Sequence, residues 1–193
     1  MGGIWRRWRE RSARARRERE AAHALYGRLV AMARLPAWYT EGAVPDSHDG
    51  RLEMIGLHVA LAMRRLGREG EAGRRLSQAL VDLLFADIDR NLREMGVGDL
   101  SVGKKVKAIA ESFRARTAAV ESALAAADRE AVATLLLRNL YPQDRLPEPR
   151  QVLAVADRLL GLDAALAGVD AATLLDGRLP PPRQDVDRAS PPS

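Results

Sequence analysis

Apolar residues recur along this chain at intervals of three and four, and strict alternation is rare. That spacing is the period of a helix with one buried face, not the period of two of a half-buried strand. Ala, Leu, Arg and Glu dominate and β-branched and aromatic residues are sparse, so local propensity agrees with the pattern. A first helix is predicted over residues 4–34, with Gly27 as a candidate break and a stop at Leu35-Pro36, because a residue before proline resists the helical region. Residues 36–50 predict a packed loop carrying Trp38 and Tyr39. Asp46 or Ser47 is placed to cap a second helix that runs to about Leu66, with Leu52, Ile55, Val59, Ala62 and Leu66 on one face. Beyond a polar turn from Gly67 to Gly73, a helix over 74–95 carries Leu76, Leu80, Leu83, Ile88 and Leu92, a stripe widened by Val81, Leu84 and Phe85. Such width demands neighbours on two sides.

Gly96 and Gly98 end that helix, and further helices are predicted over 102–126, 128–141, 149–162 and 170–176, with a proline-containing linker at 143–149. The expected architecture is all-α, a compact bundle of six to seven helices. It divides into a basic arm at 1–21, a helical body at 22–142, a C-terminal helical extension at 143–176 and a disordered, Pro-rich tail at 177–193. No strand and no internal repeat is evident.

Composition narrows the chemistry. With 193 residues the chain buries roughly 70% of its unfolded surface and needs no staple. It has no cysteine, which removes disulfides, thiolate metal sites and thiol nucleophiles. No apolar run approaches the roughly 20 residues of a membrane-spanning helix, and the start lacks the apolar centre of a signal peptide. The expectation is a cytosolic protein that can touch a membrane from that side.

Charge changes the picture once it is located. The net charge is +5, and residues 1–20 alone, with eight Arg and three Glu, supply it. The rest of the chain is neutral, so a basic arm is attached to a balanced body, an arrangement that favours anionic partners. Only three of the 31 basic residues are lysine, a bias that points to a GC-rich, bacterial genome, and all three cluster as Lys104, Lys105 and Lys107. Their place near a predicted helix start opposes the helix dipole, so they read either as a patch for an anionic partner or as a solvated turn.

The arm sets Trp5 and Trp8 among Arg6, Arg7 and Arg9, with Ile4 beside Trp8 on one helix face. Tryptophan suits membrane interfaces and arginine suits anionic headgroups. The same residues also suit RNA, through stacking and phosphate contact, or the tryptophans fold back on the body.

No catalytic constellation emerges. His23, His48 and His58 lack ligand spacing, so they read as structural histidines rather than metal ligands. Asp82, Asp87, Asp89 and Glu94 lie on one helix with Arg90 and Arg93, and the four-residue step from Asp89 to Arg93 favours an ion pair over acid–base work. Gly96-Val97-Gly98-Asp99 precedes a helix but lacks the phosphate-loop pattern, and reads as a helix cap and turn. Neither a metal nor a cofactor is expected. A small metal-dependent enzyme using His48 or His58 is the least favoured reading.

An ordered set of segments carries a family resemblance. It runs from Tyr39 through Val44-Pro45-Asp46 to Asp49-Gly50-Arg51-Leu52-Glu53-Met54-Ile55 and Leu57-His58. It continues through Leu76-Ser77-Gln78-Ala79-Leu80 and Leu84-Phe85-Ala86-Asp87-Ile88-Asp89. It ends on Leu92-Arg93-Glu94-Met95-Gly96-Val97-Gly98-Asp99-Leu100, Val102 and Lys104-Lys105-Val106. Over about residues 22–142 the chain resembles the ubiquinol–cytochrome c chaperone family. Gly103 stands where members usually carry proline, and about the last fifty residues match weakly.

The resemblance implies an α-helical assembly chaperone, not an enzyme, that binds newly made cytochrome b and supports assembly of respiratory complex III. The expected client surface comprises Trp38, Tyr39, Asp46, Arg51, His58, Asp87, Asp89, Arg93, Asp99, Lys104 and Lys105. Trp5, Arg6, Arg7, Trp8 and Arg9 are the expected membrane or anionic-partner contact. A ribosome- or RNA-binding module using the arm and the lysines is the alternative, and no DNA partner is expected.

Overall fold

In the computed structural model, which describes residues 2–179, every regular element is helical. Six helices have eleven residues or more: α1 (Gly2–Ala33), α3 (His48–Leu66), α4 (Gly70–Glu94), α5 (Asp99–Ala125), α6 (Arg129–Asn139) and α7 (Pro149–Ala167). Two single-turn helices, α2 (Pro36–Thr40) and α8 (Ala171–Leu175), complete the set. The all-α bundle expected from the spacing is the fold observed.

α1 is unbroken at Gly27, which is exposed and meets nothing; Leu25, Tyr26 and Leu29 around it are buried, and their packing outweighs the glycine's cost of about 1 kcal/mol. The loop predicted at 36–50 contains α2, started by Pro36 at its first position. Its aromatics have a local reason. Trp38 Nε1–H donates to the Met32 carbonyl at 2.8 Å and the Tyr39 hydroxyl to the Ala33 carbonyl at 2.8 Å. Both acceptors are last-turn carbonyls of α1, where the regular helical bonds run out; the Met32 carbonyl also accepts from the Leu35 N–H at 3.2 Å. Ser47, not Asp46, caps α3, accepting from the Gly50 N–H at 3.1 Å.

The polar turn expected at 67–73 is shorter: a 3₁₀ turn at Gly67–Glu69 joins α3 to α4. Gly73 lies inside α4, where an added Cβ would collide with the Leu66 carbonyl. This glycine serves close packing at the hairpin, not termination. Along α4 the buried line is Leu76, Leu80, Leu84, Ile88 and Leu92, with Leu83 and Phe85 half-buried beside it. α4 packs against α1, α3 and α5, the central position that its wide stripe demanded. Glu18 pairs with Arg75 at 3.1 Å and the Tyr26 hydroxyl donates to Asp87 at 2.7 Å, so α1 and α4 run in the same direction.

α4 ends in a turn with Gly96 at φ +77°; Gly96 N–H bonds the Arg93 carbonyl and Val97 N–H the Leu92 carbonyl. α5 starts at Asp99, three residues before the predicted 102. The same closing geometry ends α5, but with Ala127 in the left-handed region at φ +50°. Because Ala127 is exposed and alanine resists that region, Ala127→Gly is expected to raise the unfolding free energy by about 0.5–1 kcal/mol, read from urea denaturation.

The C-terminal helices are part of the core. α7, opened by a reciprocal Glu148/Gln151 cap, packs on α6 and α3, and Val152, Val155, Ala156, Leu159 and Leu166 are buried. Most of the tail expected to be disordered lies outside the described residues. Its first residues depart from that expectation: Leu179 is buried, and Gly177, at φ +74°, crosses so close to Ala21 that an added Cβ would strike its carbonyl.

Candidate functional site

The residues singled out by sequence fall in four places. At the α2–α3 corner, Trp38 and His58 are buried and pack edge to face, ring centroids 5.4 Å apart. Neither offers a surface to a partner, which corrects the expectation for both; the two rings pack against each other inside the corner instead. His58 is fully buried, and its Nδ1 lies 2.7 Å from the Met54 carbonyl. That geometry makes Nδ1 the protonated nitrogen and leaves Nε2 as a buried acceptor with no partner. Burial pushes its pKa down to about 4, so the ring is neutral at pH 7.

Tyr39 is half-buried with Arg51 5.9 Å from its ring centre, and burial raises its pKa. Arg51 donates to Asp46 at 2.5 Å, and this hydrogen bond lowers the Asp46 pKa. The pair is exposed and ties the loop to the start of α3.

On α4, Asp87 accepts from Tyr26 and Arg90, and Asp89 pairs with Arg93 at 2.7 Å. These acids are engaged with neighbouring side chains, not gathered around a reacting atom. On α5, Lys104, Lys105 and Lys107 are exposed, in the second turn and beyond, because the helix begins earlier than predicted. Their conflict with the helix dipole is correspondingly weaker. The side chains of Asp99 in α5 and of Arg6, Arg7 and Trp8 in the arm lie outside the described residues. Trp5 is 67% exposed and Arg9 is exposed.

No three His, Asp or Glu side chains among the described residues are placed to hold a metal ion. His48 is exposed and His58 buried, ten residues apart on α3, a separation of about 15 Å. A cavity of about 10 Å³ between α3, α5, α6 and α7 is lined by Leu57, Leu61, Val120, Ala123, Leu124, Val132, Leu135 and Leu159, with no polar side chain to act chemically.

What the geometry does offer is an exposed corner and face. The α4–α5 corner carries Arg93, Glu94 and Met95, and Met95 is 53% exposed. The turn explains Gly96, but nothing in the turn requires a large apolar side chain next to it in water. From this corner α5 presents the lysines and then Ala108, Ser112, Ala115, Ala119, Ser122 and Ala126, all exposed. Their steps of four and three keep them on one line of the helix. The spacing alone sets these residues on one line, and the structure shows that this line is exposed while Val102, Phe113, Val120 and Leu124 are buried.

The chain matches the family described as ubiquinol-cytochrome C chaperone over residues 40–181, a stretch that includes the C-terminal helices beyond residue 142. It is 23% identical over 132 residues to the ubiquinol-cytochrome-c reductase complex assembly factor 1 of Xenopus laevis, across 68% of this chain and 65% of that protein. Identity to the corresponding factor of Mus musculus is also 23% over 132 residues, across 68% of this chain and 44% of that one. The aligned part therefore spans under two-thirds of each relative. The crystal structure of the Cbp3 homolog from Brucella abortus superposes with a TM-score of 0.82 at 32% identity, covering 96% of this chain and 98% of that chain.

Proposed function

Because the chain belongs to the ubiquinol–cytochrome c chaperone family, we propose that it is an assembly chaperone that binds newly made cytochrome b and supports assembly of complex III at the cytoplasmic face of the inner membrane. The observation that carries this reading is the likeness to the Cbp3 homolog across nearly the whole of both chains, at an identity that goes beyond a shared fold.

The α4–α5 corner and the outer face of α5 are the proposed client surface. An unfinished membrane subunit exposes apolar helices. Small side chains at Ala108, Ser112, Ala115 and Ala119 let a second helix approach closely, as small residues do between membrane helices. Met95 adds an adaptable apolar contact, and Lys104, Lys105 and Lys107 supply charge beside it. Arg93 and its partner Asp89 lie in the last turns of α4 leading to this corner, Asp87 faces Tyr26 of α1, and Tyr39, Asp46 and Arg51 lie on the α2–α3 corner. No helix among the described residues is long and apolar enough to cross a membrane, so the proposed membrane contact is peripheral.

Deleting the encoding gene is expected to lower mature complex III while leaving the cytochrome b transcript intact. Complementation with Lys104→Glu/Lys105→Glu, and separately with Ala115→Trp, is expected to restore less complex III than the parent gene at equal protein level. Full restoration by both would remove the α5 surface from the account. Normal complex III in the deletion strain would end the chaperone reading itself.

A further inference from the structure

We infer that the first half of α1 is a docking arm that lies in the headgroup layer of an anionic bilayer, with Trp5 and Trp8 inserted and the arginines flanking them. The inference rests on the membrane-face reading above and is independent of which surface meets the client.

Three observations point to it. The first is mechanical. From residue 2 to 17 every side chain described is exposed, and among the described side chains of the helix the first buried one is Ala21. The described side chains of this stretch therefore face water, with Arg9, Ala13, Arg14 and Arg17 along a wide concavity shared with Leu175, Asp176 and Arg178. A polar helical segment of this length gains little stability from water alone. Two ion pairs within the helix, Arg14–Glu18 and Arg16–Glu20, hold it only modestly because both are exposed.

The second is charge. Residues 1–20 hold eight Arg and three Glu. Glu18 and Glu20 are engaged by Arg14, Arg16 and Arg75, and the count of eight Arg against three Glu leaves a net excess of cations along the arm. Arg9, Arg11 and Arg17 are exposed along it. Each cation near an anionic membrane surface contributes about 1 kcal/mol, which the neutral remainder of the chain does not supply.

The third is the distribution of uncharged positions. Ile4, Trp5, Trp8, Ser12 and Ala15 follow steps of one, three, four and three, which keeps them within a single sector of the helix circumference. No charged residue among the first fifteen falls inside that sector; Arg9 borders it on one side and Arg11 on the other. A charge-free strip flanked by arginine suits a helix lying in a lipid interface. An RNA-binding arm has no need of such a strip, because stacking and phosphate contact work from any side of a helix. Trp5, 67% exposed on this highly charged segment, marks the end of the strip that enters first.

The test is flotation of the purified full chain with vesicles of phosphatidylcholine alone or mixed with phosphatidylglycerol, at near-physiological salt. The chain is expected to float with the mixed vesicles and not with phosphatidylcholine alone. Trp5→Ser/Trp8→Ser is expected to weaken binding by about tenfold or more, since each indole forfeits apolar burial. Arg68→Glu/Arg74→Glu, which changes the same kind of charge on the body, is expected to leave flotation unchanged. Unaltered far-UV circular dichroism and Tm establish that the variants fold.

Absence of flotation, or flotation that survives the Trp substitutions, overturns the inference. So does tight binding of single-stranded RNA that the Trp substitutions abolish while the vesicles remain unbound. Complex III assembly in cells separates the two levels: loss of vesicle binding with an intact assembly role removes the arm inference and leaves the chaperone reading standing.

Discussion

Arg65→Ala is expected to lower the unfolding free energy by about 3–4 kcal/mol in urea denaturation at pH 7. Arg65 lies near the end of α3 and is only 7% exposed. Its Nε donates to the Leu166 carbonyl at 3.1 Å, one Nη to the Val169 carbonyl at 2.7 Å, and the other to Glu69. Leu166 and Val169 flank the C-terminal end of α7, where carbonyls have no helical partner. One planar guanidinium therefore closes α7 and fastens it to the α3–α4 hairpin. Alanine leaves Glu69 and the Val169 carbonyl without this donor in a largely buried place, and leaves the Leu166 carbonyl with only its backbone bond from the Val169 N–H. Arg65→Met keeps much of the packing and is expected to lose about 2 kcal/mol. Arg65→Lys is expected to fall between parent and alanine, because a single ammonium cannot serve three acceptors in a fork. A loss below about 1 kcal/mol for Arg65→Ala would show that the contact is incidental.

The second large effect is acid sensitivity from His58. In the unfolded chain its imidazole takes a proton near pH 6.5, and in the folded chain only near pH 4. The unfolded state therefore binds more protons throughout that window. The stability involved is fully present above pH 6.5 and is lost as pH falls from 6.5 towards 4, by about 3 kcal/mol in all. The structural cause is burial: protonating Nε2 places a charge and a new donor where no hydrogen-bond partner stands, against the Trp38 ring. His58→Leu, of similar volume, removes the unsatisfied nitrogen and the titration together. Its unfolding free energy is expected to change less between pH 7 and 4.5 than that of the parent. Asp46, Glu71 and Asp170, whose pKa values are lowered by hydrogen bonds from Arg51, Arg74 and the Thr173 backbone, add acid lability common to both proteins. Parallel pH profiles for parent and variant would contradict the assignment.

How far the sequence carries is clear from particular residues. The helix periods, the Gly96 terminus and the central place of α4 follow from apolar spacing and local turn chemistry, and all are legible without coordinates. Arg65 is not, because its value comes from carbonyls a hundred residues away in sequence. Gly73 misleads for the same reason: its purpose is a close approach to Leu66, and the sequence offers only a glycine beside a turn. Trp38 and His58 misled in the opposite sense. Aromatic and imidazole groups in a loop and at a helix boundary suggest contact with a partner, yet here Trp38 bonds an α1 carbonyl, His58 bonds the Met54 carbonyl of its own helix, and both rings fill the core. The exposed line on α5 needed the structure to show which of the helix's two regular faces is covered.

The account turns on whether the outer face of α5 meets cytochrome b. A photo-crosslinking amino acid placed in cells at position 104 or 115 addresses this directly, with Arg74 on the exposed start of α4 as the comparison position. The account predicts adducts containing cytochrome b from positions 104 and 115 and none from 74. Adducts lacking cytochrome b at both α5 positions, or equal capture from all three, would contradict it.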